Sequence, residues 1–320
     1  MKVLICQTRF GIGDCVIFLP YIHAIAKRYG PVTLLAKKSS RANEIFKYDK
    51  SIKEILFLER DKKKNGKHSG IKGFFNLAKE IRSYNFDIGF IFNSSLRYSL
   101  IFKLAKIKKI YQYPLFRKKD NIFLSAKIFT EMVLNEVIST QPEIKIEDSV
   151  VRTSKEKYNI NSNVKNICLG LSASGETKRW GVERYLKICE RINKEMPARF
   201  FLAGGANDRN LINYFLNSSL KSNCFSFEKM SISETLPIIK SCNLYLGNDT
   251  GWLHLASALD LKCIALFMDS PALSYGRYSR NINIITPKGF TEETTTHDTL
   301  GKDKIDVETV YTKTIQMLAN

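Results

Sequence analysis

The chain has 320 residues, 44% of them hydrophobic, which is enough to form the cores of two domains of ordinary size. No stretch approaches the roughly 18 uninterrupted apolar residues of a transmembrane helix, and the apolar run at the N-terminus is too short for a signal peptide. Seven cysteines without a C-x-x-C pair argue against a disulfide framework or a zinc site. We therefore expect a cytoplasmic protein with reduced, packed thiols.

Positive charge is concentrated in the first half of the chain. Residues 1–150 contain 28 Lys and Arg against 14 Asp and Glu, whereas residues 151–320 contain 22 against 17. The densest basic runs lie at 62–67, 103–109 and 117–119. Such a field attracts nucleic acid, an anionic membrane surface or an acidic substrate, and composition does not choose among these partners.

Short β-branched or aromatic runs alternate with amphipathic stretches, which predicts parallel βαβ units. The first half predicts strands near 3–8, 32–36, 53–58, 87–92 and 108–113, and helices near 14–28, 40–47, 72–84, 95–106 and 121–136. Residues 138–165 predict an interdomain connection. The second half predicts strands near 166–171, 199–205, 243–247 and 262–267, and helices near 182–195, 208–218, 232–241, 251–259 and 307–318.

This pattern predicts an α/β protein made of two doubly wound, Rossmann-like parallel-sheet domains that face a central cleft. We expect the domains at 1–150 and 151–305, followed by a closing C-terminal helix at 306–320.

The first strand leads into a glycine-rich turn. Gly11 and Gly13 suggest a dinucleotide fingerprint, but Val16 stands where the third glycine should be, and lysines rather than a ribose-binding acid follow the second strand. The glycines allow a substrate to approach the backbone closely. Asp14 then has two interpretations. It is an N-cap, worth about 1 kcal/mol, or a carboxylate that faces the cleft and accepts a proton late in the transition state.

Two loops of the second half follow predicted strands and open predicted helices. In the loop at 171–180, hydroxyls such as Ser174 together with Lys178 suit a diphosphate, whose leaving charge needs fixed donors and a cation. A surface loop rich in Ser and Thr is the alternative. After Gly204 and Gly205, Asp208 either accepts from a ribose hydroxyl or caps a helix.

The most informative stretch runs from Leu246 to Ala256, where a strand ends in Gly-Asn-Asp-Thr-Gly and helical spacing begins. We predict that Asp249 caps this helix. The Thr250 hydroxyl and the N–H groups of Thr250 and Gly251 are then left for phosphate oxygens. His254, in the first turn, leans toward the same anion and, if protonated, would stabilise a departing nucleoside diphosphate. No H-x-x-H, H-E-x-x-H or Asp-x-Asp pattern predicts a metal, so we expect neither metal nor cofactor.

Taken in order, these motifs resemble the heptosyltransferase family, glycosyltransferase family 9, of bacterial lipopolysaccharide core assembly. The matching pieces are Gly11-Ile-Gly-Asp14 with Pro20, Lys178-Arg179-Trp180, Gly204-Gly205 with Asp208, and Gly247-Asn248-Asp249-Thr250-Gly251 with His254. The resemblance implies a GT-B-like fold with an N-terminal acceptor domain and a C-terminal donor domain. It also implies metal-independent, inverting sugar transfer from a nucleotide sugar, commonly ADP-heptose.

Position by position, the resemblance implies that Asp14 is the general base and that Asp249 shapes the donor loop. The residues implied to contact the donor diphosphate are Ser174, Lys178, Thr250, Gly251 and His254. Ala173 and the glycine-free loop Phe267–Ser270 depart from the family pattern, which leaves the donor sugar open. The acceptor is expected to be an anionic glycolipid. The lysine runs at 62–67 and 103–119 would then hold the enzyme on the inner face of the cytoplasmic membrane, each cation near the surface contributing about 1 kcal/mol.

Three alternatives stand beside this interpretation. The first is another GT-B-like nucleotide-sugar enzyme, such as an epimerase or a transferase with a different donor. The second is a nucleic-acid-binding protein that uses the basic half, although no helix-turn-helix, RRM or zinc-finger signature supports it. The third is an inactive paralogue, which the presence of Asp14 and Lys178 disfavours.

Overall fold

A computed structural model describes residues 1–60, 66–114 and 121–319. The chain forms two compact units, the N-terminal unit Met1–Pro142 and the C-terminal unit Glu143–Asn320. Two of the basic runs, Lys62–Lys64 and Arg117–Lys119, lie outside the described residues.

The described part of the N-terminal unit contains a parallel sheet of five strands in the order β3-β2-β1-β4-β5. The strands are β1 Val3–Cys6, β2 Val32–Ala36, β3 Ile52–Phe57, β4 Ile88–Ile91 and β5 Lys109–Gln112. The helices are α1 Ile12–Ile17, α2 Leu19–Tyr29, α3 Ala42–Ile45, α4 Gly70–Ser83, α5 Leu96–Leu104 and α6 Ile122–Leu134. The helix predicted near 14–28 is thus two helices, because Pro20 lacks the N–H that would continue the hydrogen-bond ladder of α1.

The centre of this sheet is covered on both faces. Every residue of β1, β2 and β4 is buried, as expected for parallel strands that carry helices on both sides. Residues of α4 and α5 with helical spacing, including Leu77, Ile81, Ile101 and Phe102, pack against these strands.

The described part of the C-terminal unit contains a parallel sheet of six strands in the order β11-β10-β9-β6-β7-β8. The strands are β6 Lys165–Gly170, β7 Ala198–Ala203, β8 Cys224–Ser226, β9 Leu244–Asn248, β10 Cys263–Leu266 and β11 Ile282–Ile285. The helices are α7 Asp148–Lys157, α8 Val182–Glu195, α9 Arg209–Leu216, α10 Ile232–Lys240, α11 Gly251–Ala258, α12 Ala272–Gly276 and α13 Val307–Ala319.

Four elements of this unit, α7, α12, β8 and β11, were not predicted from the sequence as strands or helices. Helix α12 has only five residues, too few to show a helical period. Helix α7 lies within the segment expected to be a connection, and it packs on α10. Only Ser154 of its ten residues is buried, so the helix lacks the repeated buried apolar positions by which a helix is recognised in a sequence. Strands β8 and β11 are the two edges of the sheet, and their half-buried residues do not form a long apolar run.

No helix in the described ranges is both long and apolar enough to span a bilayer. All seven cysteines are free, and six of them are buried. Burial raises the pKa of the Cys15 thiol to about 12, so this thiol is protonated at neutral pH.

Strand order reverses between β1 and β4 in the N-terminal unit and between β6 and β9 in the C-terminal unit. Loops that leave neighbouring strands at such a point diverge to opposite faces of the sheet and leave a crevice at its carboxyl edge. In the C-terminal unit this arrangement brings the loop at 171–180 beside the turn at 249–251. In the N-terminal unit it brings the turn at 7–14 beside residues 92–95.

The second of these reversal points requires glycine on both strands. Gly170 of β6 pairs with Gly247 of β9, and an added Cβ at Gly247 would lie 2.6 Å from the Gly170 Cα. An added Cβ at Gly170 would overlap the Tyr245 hydroxyl, which donates to the carbonyl of Asn248 at 3.1 Å. The two strands and the Tyr245 ring are therefore packed without room for a methyl group.

We expect Gly170→Ala to lower the free energy of unfolding by about 1–3 kcal/mol, the usual cost of overpacking a core. Urea denaturation monitored by circular dichroism would measure it. The matched control is Gly175→Ala, since an added Cβ there meets nothing within 4 Å. Equal stability of the two variants would contradict the packing described for this pair of strands.

Candidate functional site

The C-terminal unit presents a helix N-terminus at the carboxyl end of β9. Thr250 is the N-cap of α11, and its Oγ1 accepts a hydrogen bond from the Trp252 N–H at 3.1 Å. The prediction that Asp249 caps this helix is therefore wrong. The extended backbone of Thr250 aims its own hydroxyl at the first turn. The N–H of Gly251 lies in that first turn, where the helix offers no carbonyl partner, so the turn can receive an anion.

Asp249 instead holds the loop in place through contacts of its carboxylate. One carboxylate oxygen accepts from Ser270 Oγ at 2.7 Å, and the other lies 3.4 Å from His254 Nε2. The second ring nitrogen of His254 is 2.7 Å from Tyr278 Oη, and the residue is only 3% exposed. His254 thus contacts Asp249 and Tyr278 in a buried position. Its predicted contact with the donor diphosphate stays a prediction.

The loop at 171–180 carries the predicted cation. Lys178 is half-buried at the end of a short 3-10 turn, Glu176–Lys178, and Ser174 is exposed. The neighbouring Thr177 Oγ1 donates to Asp269 Oδ2 at 2.6 Å, which ties this turn to the segment after β10.

Asp269 and Ser270 connect the loop at 171–180 with the turn at 249–251. The sequence analysis did not assign them a role. Asp269 accepts from Thr177 and from the Leu300 N–H at 3.1 Å, while Ser270 donates to Asp249. Burial opposes ionisation of Asp269, but hydrogen bonds from Thr177 and from backbone N–H groups outweigh it, with a smaller contribution from the Lys178 charge. The pKa of this carboxyl is therefore lowered. The sequence did contain a signal for Asp269, because this residue follows the strand predicted near 262–267. In the structure that strand, β10, lies beside β9, and both end at the same edge of the sheet.

Asn248 is a further residue whose role the sequence analysis missed. It is fully buried, and its Oδ1 accepts from Tyr185 Oη at 2.8 Å and from the Trp180 N–H at 3.3 Å. Its Nδ2 donates to the carbonyls of Leu171 at 2.9 Å and Ser172 at 3.4 Å. A side-chain amide has two donor hydrogens and one acceptor oxygen with two lone pairs, and all are used here. Asn248 therefore fixes the loop at 171–180 to the end of β9.

Asp208 follows β7 at the same edge of this sheet. It is the third residue of a 3-10 turn, and its Oδ2 accepts from the Gly205 N–H at 3.0 Å. Asp208 is also the N-cap residue of α9, as the capping interpretation predicts, although its carboxylate bonds to Gly205 and not to an N–H of the first turn of α9. A bond from its carboxylate to a ribose hydroxyl stays a prediction.

In the N-terminal unit, Gly11 is the N-cap of α1 and Asp14 is the third helical residue, so the interpretation of Asp14 as the N-cap is wrong. Asp14 Oδ2 accepts from the Gly11 N–H at 3.1 Å, and Oδ1 pairs with Arg9 Nε at 2.7 Å. Gly13 lies in the same first turn and is buried. The Asp14 side chain is 16% exposed and that of Arg9 is 43% exposed, so an incoming hydroxyl would compete with Arg9 for the carboxylate.

Polar side chains fix the neighbouring loops of this unit. Asn93 Nδ2 donates to Thr8 Oγ1 at 2.9 Å, and Gln112 Nε2 donates to the carbonyls of Asn93 and Ser95 at 2.9 and 3.0 Å. The loops after β1 and β4 and the end of β5 are thereby joined at the carboxyl edge of the sheet.

The described structure brings the predicted donor residues to one edge of the C-terminal sheet and Gly11, Gly13 and Asp14 to the corresponding edge of the N-terminal sheet. That Asp14 serves the same reaction as the donor residues stays a prediction. Among the described residues, no group of three or more His, Cys, Asp or Glu side chains is arranged to hold a metal ion.

We expect Asn248→Ala to weaken nucleoside diphosphate binding at least tenfold, because the loop at 171–180 loses its fixed distance from the Thr250 turn. Calorimetric titration would measure the affinity. Asn243→Ala is the matched control. Asn243 precedes β9, at the opposite end of the same strand, and its Oδ1 accepts from the Asn166 N–H. Equal affinities in the two variants would show that Asn248 supports only the fold.

The chain matches a known protein family over most of its length. Residues 74–302 match the family described as "Glycosyltransferase family 9 (heptosyltransferase)", and this range includes all the predicted donor residues but not Asp14. The chain is 26% identical over 237 residues to lipopolysaccharide heptosyltransferase 1 of Campylobacter coli, a match that covers 68% of this chain and 67% of that protein.

Two solved structures share the fold over nearly their whole length. The Escherichia coli ADP-heptose lipopolysaccharide heptosyltransferase II superposes with a TM-score of 0.75 and 18% identity, covering 100% of this chain and 99% of that chain. A glycosyltransferase family 9 protein of Veillonella parvula gives a TM-score of 0.77 and 16% identity, covering 99% and 97%. The predicted GT-B-like α/β fold is confirmed. Because the family match extends over more than two thirds of the chain, the protein belongs to glycosyltransferase family 9, the heptosyltransferase family.

Proposed function

We propose that this glycosyltransferase moves heptose from ADP-heptose to a hydroxyl of a lipopolysaccharide core or a related glycolipid, with inversion at the sugar. The observation that carries the proposal is the anion-binding turn at Thr250 and Gly251, which Asn248 and Asp249 hold at the strand reversal of the C-terminal sheet. The names of the relatives support the donor and the acceptor class, since one is an ADP-heptose enzyme and another acts on lipopolysaccharide.

The donor diphosphate would lie at the N-terminus of α11. The backbone N–H groups there and the helix dipole favour a bound anion, and Lys178 supplies a full positive charge from the neighbouring loop. These donors are fixed before the reaction, so they stabilise the charge that grows on the diphosphate as it leaves. We therefore propose that transfer proceeds without a metal ion or another cofactor.

Asp14 would act as the general base. The acceptor hydroxyl attacks the anomeric carbon, its proton passes to the Asp14 carboxylate, and the nucleoside diphosphate leaves with the electron pair of the broken bond. A single displacement of this kind inverts the configuration. Arg9 and the Gly11 N–H hold the carboxylate in position.

We expect Asp14→Asn to lower kcat by about 10²–10⁴-fold, the range for loss of a general base, and to leave donor affinity unchanged. Release of ADP and formation of the glycosylated acceptor would be measured together. Glu44→Gln is the matched control, because Glu44 also pairs with an arginine in this unit, Arg41. Undiminished transfer by Asp14→Asn would refute the assignment, and conversion of the donor to its epimer would favour the epimerase alternative.

The donor itself is tested by thermal stability. A saturating nucleotide at 100 times its dissociation constant adds about 2.7 kcal/mol to the free energy of unfolding. We expect the melting temperature to rise with ADP and ADP-heptose more than with UDP or GDP forms, and to rise equally with EDTA present. Lys178→Ala should reduce the shift, whereas Lys187→Ala, an exposed position on α8, should not. A preference for UDP or GDP forms would redirect the donor assignment.

We further propose that the enzyme works at the inner face of the cytoplasmic membrane as a peripheral protein, because its acceptor is an anionic glycolipid and its N-terminal half is strongly basic. The described cations of the predicted lysine runs, Lys67, Lys103, Lys106, Lys108 and Lys109, are exposed.

A further inference from the structure

Helix α5 is apolar on its outer side as well as on its inner side. Tyr98, Ile101 and Phe102 are buried against the sheet. The opposite stripe is also apolar, with Leu96, Leu100 and Leu104 being 58%, 48% and 46% exposed. These three residues are four positions apart, so they line one side of the helix. A contiguous apolar stripe on a surface helix indicates contact with an apolar environment.

Helix α4 adds to the same surface. Ile71 and Phe75, also four residues apart, are 79% and 57% exposed. Arg97 of α5 donates to the carbonyl of Gly70 at 3.1 Å, and its guanidinium lies 5.4 Å from the centre of the Phe74 ring. The first turns of the two helices therefore adjoin. We call the five apolar residues the α4–α5 face: Ile71, Phe75, Leu96, Leu100 and Leu104.

The surroundings of the α4–α5 face are strongly basic. Residues 66–114 contain nine Lys and Arg against two acidic residues, Glu80 and Asp87. Both acids already pair with cations, Glu80 with Lys67 and Asp87 with Lys108. The exposed cations of this segment are Lys67, Lys72, Lys79, Arg82, Lys103, Lys106, Lys108 and Lys109. An apolar stripe with a basic border is complementary to the interface of an anionic bilayer.

A second exposed apolar stripe, on α6, lacks this charge. Leu124, Ile128 and Met132 are 44%, 64% and 71% exposed, yet residues 121–137 contain one lysine and two glutamates. Helix α6 packs with α2, where Tyr21 Oη donates to the Phe123 carbonyl at 2.8 Å. Because right-handed crossovers place α2 on one face of the sheet and α4 and α5 on the other, the two stripes lie on opposite sides of the unit.

We propose that the α4–α5 face inserts into the headgroup and upper acyl region of an anionic phospholipid bilayer. This proposal rests on the proposed function, because that function requires an acceptor bound to the membrane. It goes further by assigning the attachment to exposed leucine, isoleucine and phenylalanine side chains of two helices, with the lysines as their border. Electrostatic attraction to the lysines would then bring the protein to the surface, and the apolar side chains would retain it there.

The test uses the full-length protein and sedimentation with vesicles of phosphatidylethanolamine and phosphatidylglycerol, compared with phosphatidylcholine vesicles. We expect Leu100→Gln combined with Leu104→Gln to lower the partition coefficient for the anionic vesicles at least tenfold. The matched control, Ile128→Gln combined with Met132→Gln on α6, should bind as the natural protein does. Equal loss in both double variants, or no loss in the α5 variant, would overturn the proposal.

A second measurement does not depend on loss of binding. Leu100→Trp should show a blue shift of its fluorescence on addition of anionic vesicles, after subtraction of the signal from the protein's own tryptophans, whereas Ile128→Trp should not.

Size-exclusion chromatography tests whether a second copy of this chain covers the α4–α5 face instead. If the natural protein ignores vesicles and only the α5 double variant dissociates from a dimer, the face is a contact between copies and the proposal is wrong.

Transfer to a water-soluble, delipidated acceptor separates this proposal from the proposed function. The α5 double variant should keep that activity, because its substituted residues lie outside the candidate site. Vesicle binding with the expected pattern but no sugar transfer would support the α4–α5 face and reject the proposed function. Sugar transfer without any vesicle binding would support the proposed function and reject the α4–α5 face.

Discussion

The donor half of this protein depends on the pairing of β6 with β9 at Gly170 and Gly247. Close contact at this point lets the Tyr245 hydroxyl reach the Asn248 carbonyl, and the Asn248 amide joins the loop at 171–180 to the end of β9. The amide is satisfied on both its donor and its acceptor side, so this loop cannot shift without leaving buried polar groups unpaired, and each such group costs about 1–3 kcal/mol. A rigid turn for an anion is thus obtained from the core of the sheet rather than from the loops themselves.

The second support comes from the adjacent strand. Asp269 and Ser270 follow β10 directly, and each holds a different loop, Asp269 through Thr177 and Ser270 through Asp249. Both contacts arise because the carboxyl ends of parallel strands share one edge. The buried His254 between Asp249 and Tyr278 extends the same support into the body of α11.

Much of this architecture was predictable from the sequence, since the alternation of apolar runs located most strands and helices. It also located the Thr250 turn and the glycine-rich turn before Asp14. The finer contacts were not predictable. Asp249 and Thr250 are both good N-cap residues, and only the backbone path decides that Thr250 takes the position. The Arg9–Asp14 pair and the roles of Asn248 and Asp269 depend on contacts between segments that a periodicity does not report. The exposed stripe on α5 had the same apolar composition as a buried one, so the sequence offered no sign that its outer side is uncovered.

The lowered pKa of Asp269 has a consequence for acid conditions. A carboxyl whose pKa is depressed by folding stabilises the native state fully at a pH above its unfolded value, and that stabilisation disappears as the pH falls through the folded value. Protonation would remove the charge that Thr177 and the Leu300 N–H now bond to, whereas burial raises the pKa of the Cys168 thiol and the Tyr245 hydroxyl in the sheet, so these groups keep their protons in acid. Acidification should consequently break the contact between the loop at 171–180 and the segment after β10 before the sheet unfolds. Ligand binding should therefore be lost at a higher pH than the fold.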